Sequence, residues 1–136
     1  MDPRRWDHLT TLHARVENDL ERTLRRAHNL GLSEYRALCH LAAAPDGELR
    51  MQELAERLGL NQSSVSRLAA RLEADGLTYR DLCPADRRGV YTVITDKGRA
   101  TQSGATPTYT EALATTLTKA TTDPALAPLA KSLLGS

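Results

Sequence analysis

The stretch MQELAERLGLNQSSVSRLAARLEADGL, residues 51–77, decides the fold. Gly59 breaks it into two helical phrases. In the second, Val65, Leu68, Ala69 and Leu72 fall at i, i+3, i+4 and i+7 and form one buried stripe. That leaves Gln62, Ser63, Ser66, Arg67 and Arg71 on the outer face, with Ser64 in the same serine-rich start. Asn61 is a good N-cap residue for this helix, and Gly76 ends it as a C′ residue should. In the first phrase, Gln52 to Leu58, the residues Leu54, Ala55 and Leu58 turn inward. A short helix, a tight turn and a second helix with a small-polar, arginine-bearing face suit entry into a DNA major groove. Gln and Ser match base edges, while hydroxyls and helix N-terminal amides match phosphates.

Two strands follow. Leu77 to Leu82 and Val90 to Thr95 carry Tyr, Val, Ile and Thr at strand-favouring density. Between them, Cys83-Pro84-Ala85-Asp86-Arg87-Arg88-Gly89 has the composition of a hairpin tip, which makes the segment a wing. Adjacent arginines at the narrow end of a hairpin are shaped for a minor groove. Asp86 and Arg88 are two apart in an extended segment, so they share a face and the carboxylate can orient the guanidinium.

With ELAERLGLNQSSVSRLAARLEADGL, then Arg80, then Asp86-Arg87-Arg88, then Val93-Ile94-Thr95-Asp96-Lys97-Gly98, the chain resembles the MarR family of winged helix-turn-helix transcription regulators. The resemblance covers the middle half well and the flanks by length and periodicity. It implies a homodimer on a pseudo-palindromic operator, most often as a repressor, with Arg88 as the minor-groove arginine and a minimal strand at Leu49 to Met51 beside the wing. It also implies a ligand pocket between the dimer helices and the DNA-binding lobe. Candidate walls here are Trp6, Leu9, His13 and Tyr35, and a small aromatic compound is the candidate effector. The family branch that senses organic peroxides uses a cysteine near the first helix, where this chain has none, so that function is not carried over.

The flanks read as helices. Asp2-Pro3 is an N-cap followed by proline at the first helical position, and Trp6, Leu9, Leu12, Val16, Leu20 and Leu24 recur every three or four residues as far as about His28. At about 1.5 Å per residue this helix is roughly 40 Å long, more than a small monomer can cover, so part of its stripe is expected to meet a second subunit. Ser33 is the expected cap of a second helix carrying Tyr35, Leu38, Cys39, Leu41 and Ala42, which stops at Pro45-Asp46-Gly47. After the wing, Thr95-Asp96-Lys97-Gly98 opens a long threonine-rich segment with Tyr109, Leu113 and Leu117 at helical spacing. Its Pro107 and β-branched content make it a poor autonomous helix that packing must hold. Asp123-Pro124 is the expected cap of a last helix with Leu126, Leu129, Leu133 and Leu134.

Composition sets the bounds. At 136 residues the chain has room for one domain with a real core. The net charge is only +1. Between Asn61 and Arg99 seven basic residues face five acidic ones, so any DNA affinity rests on local placement rather than on the whole-chain field. No apolar run reaches the length of a membrane span, and the first residues lack a signal peptide's apolar centre, so the expected location is the cytoplasm. Cys39 and Cys83 lie far apart without a CxxC and read as free thiols, Cys39 as a small core hydrophobe. His8, His13, His28 and His40 are not at metal-ligand spacing, so neither metal nor cofactor is expected. No GxSxG and no glycine-rich loop after a strand is present, which argues against an enzyme.

The expected architecture is mainly α with a small β-wing, one winged helix-turn-helix domain over residues 1–136. Residues 1–30 and 100–136 would form dimerisation helices and residues 31–99 the DNA-binding lobe. The expected partners are double-stranded DNA and a second copy of the chain. The rival from another class is a winged-helix adaptor that binds protein instead of DNA. It has no need for Arg67, Arg71 and Arg88 on one surface.

Overall fold

The computed structural model describes residues 1–82 and 89–135. The sequence-assigned wing residues Asp86, Arg87 and Arg88, and Cys83 beside them, lie outside the described residues.

Helix α1 (Pro3–His28) begins as the sequence predicts, with the Asp2 side chain accepting from the Arg4 N–H and proline in the first turn. It ends at Asn29, whose left-handed conformation (φ 51°) closes the helix. Helix α2 (Leu32–Ala43) starts one residue before the expected Ser33 cap. Ser33 does not begin it because the Glu21 carboxylate, eleven residues earlier on α1, takes the Leu32 N–H at 2.7 Å and does the capping instead. A 3-10 turn at Pro45–Gly47 leads into β1 (Glu48–Arg50). The minimal strand is therefore one residue earlier than Leu49 to Met51, since Met51 already opens α3 (Met51–Leu58). Gly59, at φ 68°, closes α3. Then come α4 (Gln62–Ala74), β2 (Thr78–Leu82), β3 (Val90–Ile94), α5 (Asp96–Ala120) and α6 (Ala127–Leu134). The last helix begins later than Asp123-Pro124 predicts. Asp123 shapes the preceding turn, accepting from Ala125 through its side chain and from Leu126 and Ala127 through its carbonyl, and the helix starts only beyond that turn.

The chain divides into two compact units. One is residues 33–105. Its sheet has the order β1-β3-β2, antiparallel throughout, with Arg50 opposite Tyr91 and Arg80 opposite Thr92. The α4 stripe predicted from periodicity, Val65, Leu68, Ala69 and Leu72, is buried, and so are Leu38, Leu41, Leu54, Leu58 and Leu77. Thr92 is buried with its hydroxyl donating to Met51 Sδ at 2.9 Å, which satisfies a polar group between sheet and helix.

The start of α5 is fixed within this unit. Thr95 Oγ1 donates to the Gly76 carbonyl (2.7 Å) and accepts from the Gly98 N–H (3.0 Å), so one hydroxyl ties the turn after α4 to the first turn of α5. Lys97 Nζ donates to the Asp75 carbonyl at 2.8 Å, placing a cation at the C-terminus of α4. Gly98 has no room for a side chain, because a Cβ there would overlap the Leu77 carbonyl oxygen.

The other unit is residues 1–32 with the chain from Thr106 onward. Its core joins Leu12 of α1 to Leu117 and Ala120 of α5 and to Leu126 and Ala130, with Val16, Leu113 and Leu129 partly buried around them. Thr116 donates to Asp19 at 2.9 Å, and Arg15 pairs with Asp123. These contacts hold a threonine-rich, proline-containing segment as helix. At the N-terminal end of α1 the predicted stripe is not covered within the chain: Trp6 is 67% exposed and Leu9 39%. Among the described residues no helix is long and apolar enough to cross a membrane, and no group of three or more His, Cys, Asp or Glu is placed to hold a metal ion.

Candidate nucleic-acid interface

Helix α4 is presented from below by its buried stripe, and the opposite face carries most of the polar side chains predicted for it. Gln62, Ser63, Arg67 and Arg71 are exposed, while Ser64 and Ser66 are half-buried. Asn61 is the N-cap. Its side-chain oxygen accepts from the Ser64 N–H at 2.9 Å and from the Ser63 hydroxyl at 3.0 Å. Arg67 reaches back one turn to Ser64 Oγ at 3.4 Å, so the arginine lies along the helix toward its N-terminal end. Arg71 follows at i+4 on the same side. The result is a convex row of hydroxyl, carboxamide and guanidinium groups on a rigid helix.

Beside that row is a cleft of about 500 Å³ lined by Arg50, Met51, Gln52, Gln62, Ser66, Arg80 and Val90. Of these, Gln62 and Ser66 are predicted site residues, whereas Arg50, Gln52 and Arg80 join them only through the fold. Arg50 lies at the end of β1, where the pairing with β3 puts it opposite Tyr91. Its Nε donates to the Tyr91 hydroxyl at 3.0 Å and its guanidinium lies 5.6 Å from the ring centroid. Arg80 comes from β2 and pairs through Nε with Glu73 of α4 at 2.9 Å. An arginine before a helical phrase is visible in the sequence, but the tyrosine that holds it is forty-one residues away. Only the strand register reveals the pair.

The ligand-wall candidates are distributed differently. Trp6 and Leu9 line a shallow hollow of about 330 Å³ with Met1, Asp2, Arg5 and Leu129. His13 is not among its lining residues and instead pairs with Glu17 on α1 at 3.2 Å. Tyr35 is buried in the other unit. Cys39 is only half-buried, with the Gln102 amide donating to its sulfur at 3.5 Å. Its neighbour His40 is held below the ordinary imidazole range, first by burial and then by repulsion from Arg36 and Arg57.

Known proteins share this fold. The MarR family model matches residues 28–89. The crystal structure of Sco3205, a MarR family transcriptional regulator from Streptomyces coelicolor, in complex with DNA, is 31% identical and superposes with a TM-score of 0.77 over 84% of this chain and 71% of that one. AbsC, another MarR family regulator from the same organism, is 25% identical with a TM-score of 0.76, covering 96% of this chain and 93% of that one. An uncharacterized HTH-type transcriptional regulator of Bacillus subtilis (strain 168), YxaD, is 40% identical over 80 residues, 59% of this chain and 54% of the relative. The match thus spans about half the length of that curated relative.

Proposed function

The chain belongs to the MarR family of transcriptional regulators, and from that premise we propose that it binds double-stranded DNA as a homodimer and represses transcription from a pseudo-palindromic operator. The observation that carries this reading is the outer face of α4, where Gln62, Ser63, Ser66, Arg67 and Arg71 stand away from the buried stripe, and where the carboxylate of Glu73 is paired with Arg80. In this reading Gln62, Ser63 and Ser66 meet base edges and Ser64, Arg67 and Arg71 the flanking phosphates. Asp86, Arg87 and Arg88 are assigned to the adjacent minor groove on their sequence pattern alone. Residues 1–30 and 100–136 supply the dimer contacts and residues 31–99 the DNA contacts. A small aromatic effector would act by favouring a form of the dimer that DNA does not accept.

Selection of bound duplexes from a random-sequence pool, followed by anisotropy titration at one fixed salt concentration, tests the proposal. The expected outcome is a recurring site with two related half-sites about one helical turn apart. Arg67→Ala should weaken binding to it by about 1–3 kcal/mol. Recovery of no enriched sequence, with equal binding of parent and Arg67→Ala, would favour the adaptor reading.

A further inference from the structure

We propose that the cleft lined by Arg50, Gln52, Gln62, Ser66 and Arg80 holds one phosphate of the DNA backbone, and that Tyr91 is the residue that positions Arg50 for it. This deepens the DNA-binding reading above and rests on it.

The chemistry of the lining is that of an anion site. Among the described residues it offers two guanidiniums, two carboxamides and one hydroxyl, and no carboxylate. Guanidinium groups match phosphate oxygens in a planar, forked geometry that an ammonium cannot reproduce. Glu73 of α4 pairs with Arg80 at Nε, which fixes that head group.

Arg50 is the more informative of the two. An exposed arginine on a three-residue edge strand normally samples many rotamers, and each ligand contact then costs ordering entropy. Here the side chain is held twice by one residue, through the Tyr91 hydroxyl at 3.0 Å and across the Tyr91 ring at 5.6 Å. Burial does not explain the arrangement, because Arg50 is solvent-exposed and Tyr91 half-buried. A pre-oriented cation at an open cleft is suited to a ligand that arrives from solvent.

Location selects the ligand. Gln62 and Ser66 belong both to the cleft and to the outer face of α4. When that face enters a major groove, the cleft lies against one of the strands bounding the groove. A contact there fixes the register of the helix on the duplex and carries no base information.

The test uses the whole protein on two duplexes of equal length, one recovered by the selection above and one unrelated, titrated over a salt series. Arg50→Ala is expected to bind both about tenfold less tightly, with the slope of log affinity against log salt reduced by about one. Arg50→Lys should restore the slope with part of the affinity, and Tyr91→Phe should weaken both duplexes a few fold while keeping the slope. Replacing single phosphates by methylphosphonates identifies the contact: one position should cost the parent the same factor as Arg50→Ala and cost Arg50→Ala nothing further. If the parent binds the selected duplex while Arg50→Ala keeps its affinity and slope, or if every methylphosphonate acts additively with the mutation, the cleft is not a phosphate site. If the parent binds neither duplex, the DNA-binding reading falls and this inference with it. Should Arg50→Ala melt below the parent, Arg50→Lys against Tyr91→Phe carries the comparison.

Discussion

Asn61 concentrates two tasks in one oxygen, since the Ser64 N–H and the Ser63 hydroxyl both donate to it. The first satisfies a backbone donor at the start of α4 that has no intrahelical partner, so Asn61→Ala should lower stability by about 1 kcal/mol. A denaturant melt should show it as a lower midpoint with unchanged slope, and Asn61→Asp should recover it. The second restrains a side chain on the end proposed to face DNA, so Asn61→Ala should also weaken binding to the proposed operator by more than a loss of folded fraction explains. His40 supplies a pH effect. Burial, Arg36 and Arg57 all disfavour its cation, so its folded pKa lies below the ordinary imidazole value that applies when unfolded. The unfolded chain therefore binds more protons between the two values, and stability must fall as pH is lowered through that window. Glu21 acts in the same direction at more acid pH. Burial alone would raise its pKa, but the Leu32 N–H bond and Arg25 outweigh it and leave the carboxyl below its usual range. Its contribution is present above the usual carboxylate pKa and lost as pH drops through the lowered one. Melts of His40→Gln should lose the upper portion of this pH dependence and keep the acid portion, and a pH profile identical to the parent's would refute the assignment.

At the scale of elements, α5 contains two glycines at which helix propensity and packing combine differently. Propensity alone favours Ala over Gly in a helix by roughly 1 kcal/mol at either site. At Gly104 nothing lies within 4 Å of an added Cβ, so Gly104→Ala should stabilise by about 0.5–1 kcal/mol. At Gly98 the added carbon overlaps the Leu77 carbonyl, a backbone atom that cannot swing aside, and the substitution should instead cost about 1–3 kcal/mol. Chemical denaturation of the two variants should move the midpoint in opposite directions. The same contrast between local and distant partners explains what the sequence makes legible. The α4 stripe and the Asn61 and Asp2 caps are settled by residues within one or two turns, and they stand where spacing puts them. The start of α2 is settled by Glu21, the start of α6 by three hydrogen bonds of Asp123, and the geometry of Arg50 by Tyr91 on another strand. Local pattern cannot carry those partners, which is why spacing alone misplaces the starts at Ser33 and Asp123-Pro124 and leaves the cleft arginines unassigned.

For the whole molecule, the apolar surface left open by one chain bears on the symmetric-operator model. Trp6 is 67% exposed and Leu133 54%, with Leu9 and Leu134 also above a third, and all four belong to the unit built from the chain's two ends. The core of that unit is already complete without them, since Leu12, Leu117, Ala120, Leu126 and Ala130 pack on one another. Apolar area buried from water yields about 25 cal/mol per Å², and exposed clusters of large apolar side chains commonly mark association surfaces. A two-fold dimer pairs the same patch on each chain, so one substitution acts twice. Light scattering at micromolar concentration should give twice the chain mass for the parent, whereas Trp6→Glu combined with Leu133→Glu should shift the mass toward that of one chain. Because neither position contributes to the core or to α4, the far-ultraviolet circular dichroism should remain that of a folded helical protein. The DNA consequence follows from geometry. Two recognition helices can meet half-sites about one turn apart only when a two-fold axis holds them, so the double variant should lose its preference for the full site over an isolated half-site. A parent that scatters as a single chain, or a double variant that remains dimeric and prefers the full site, would place the dimer surface elsewhere than on Trp6 and Leu133.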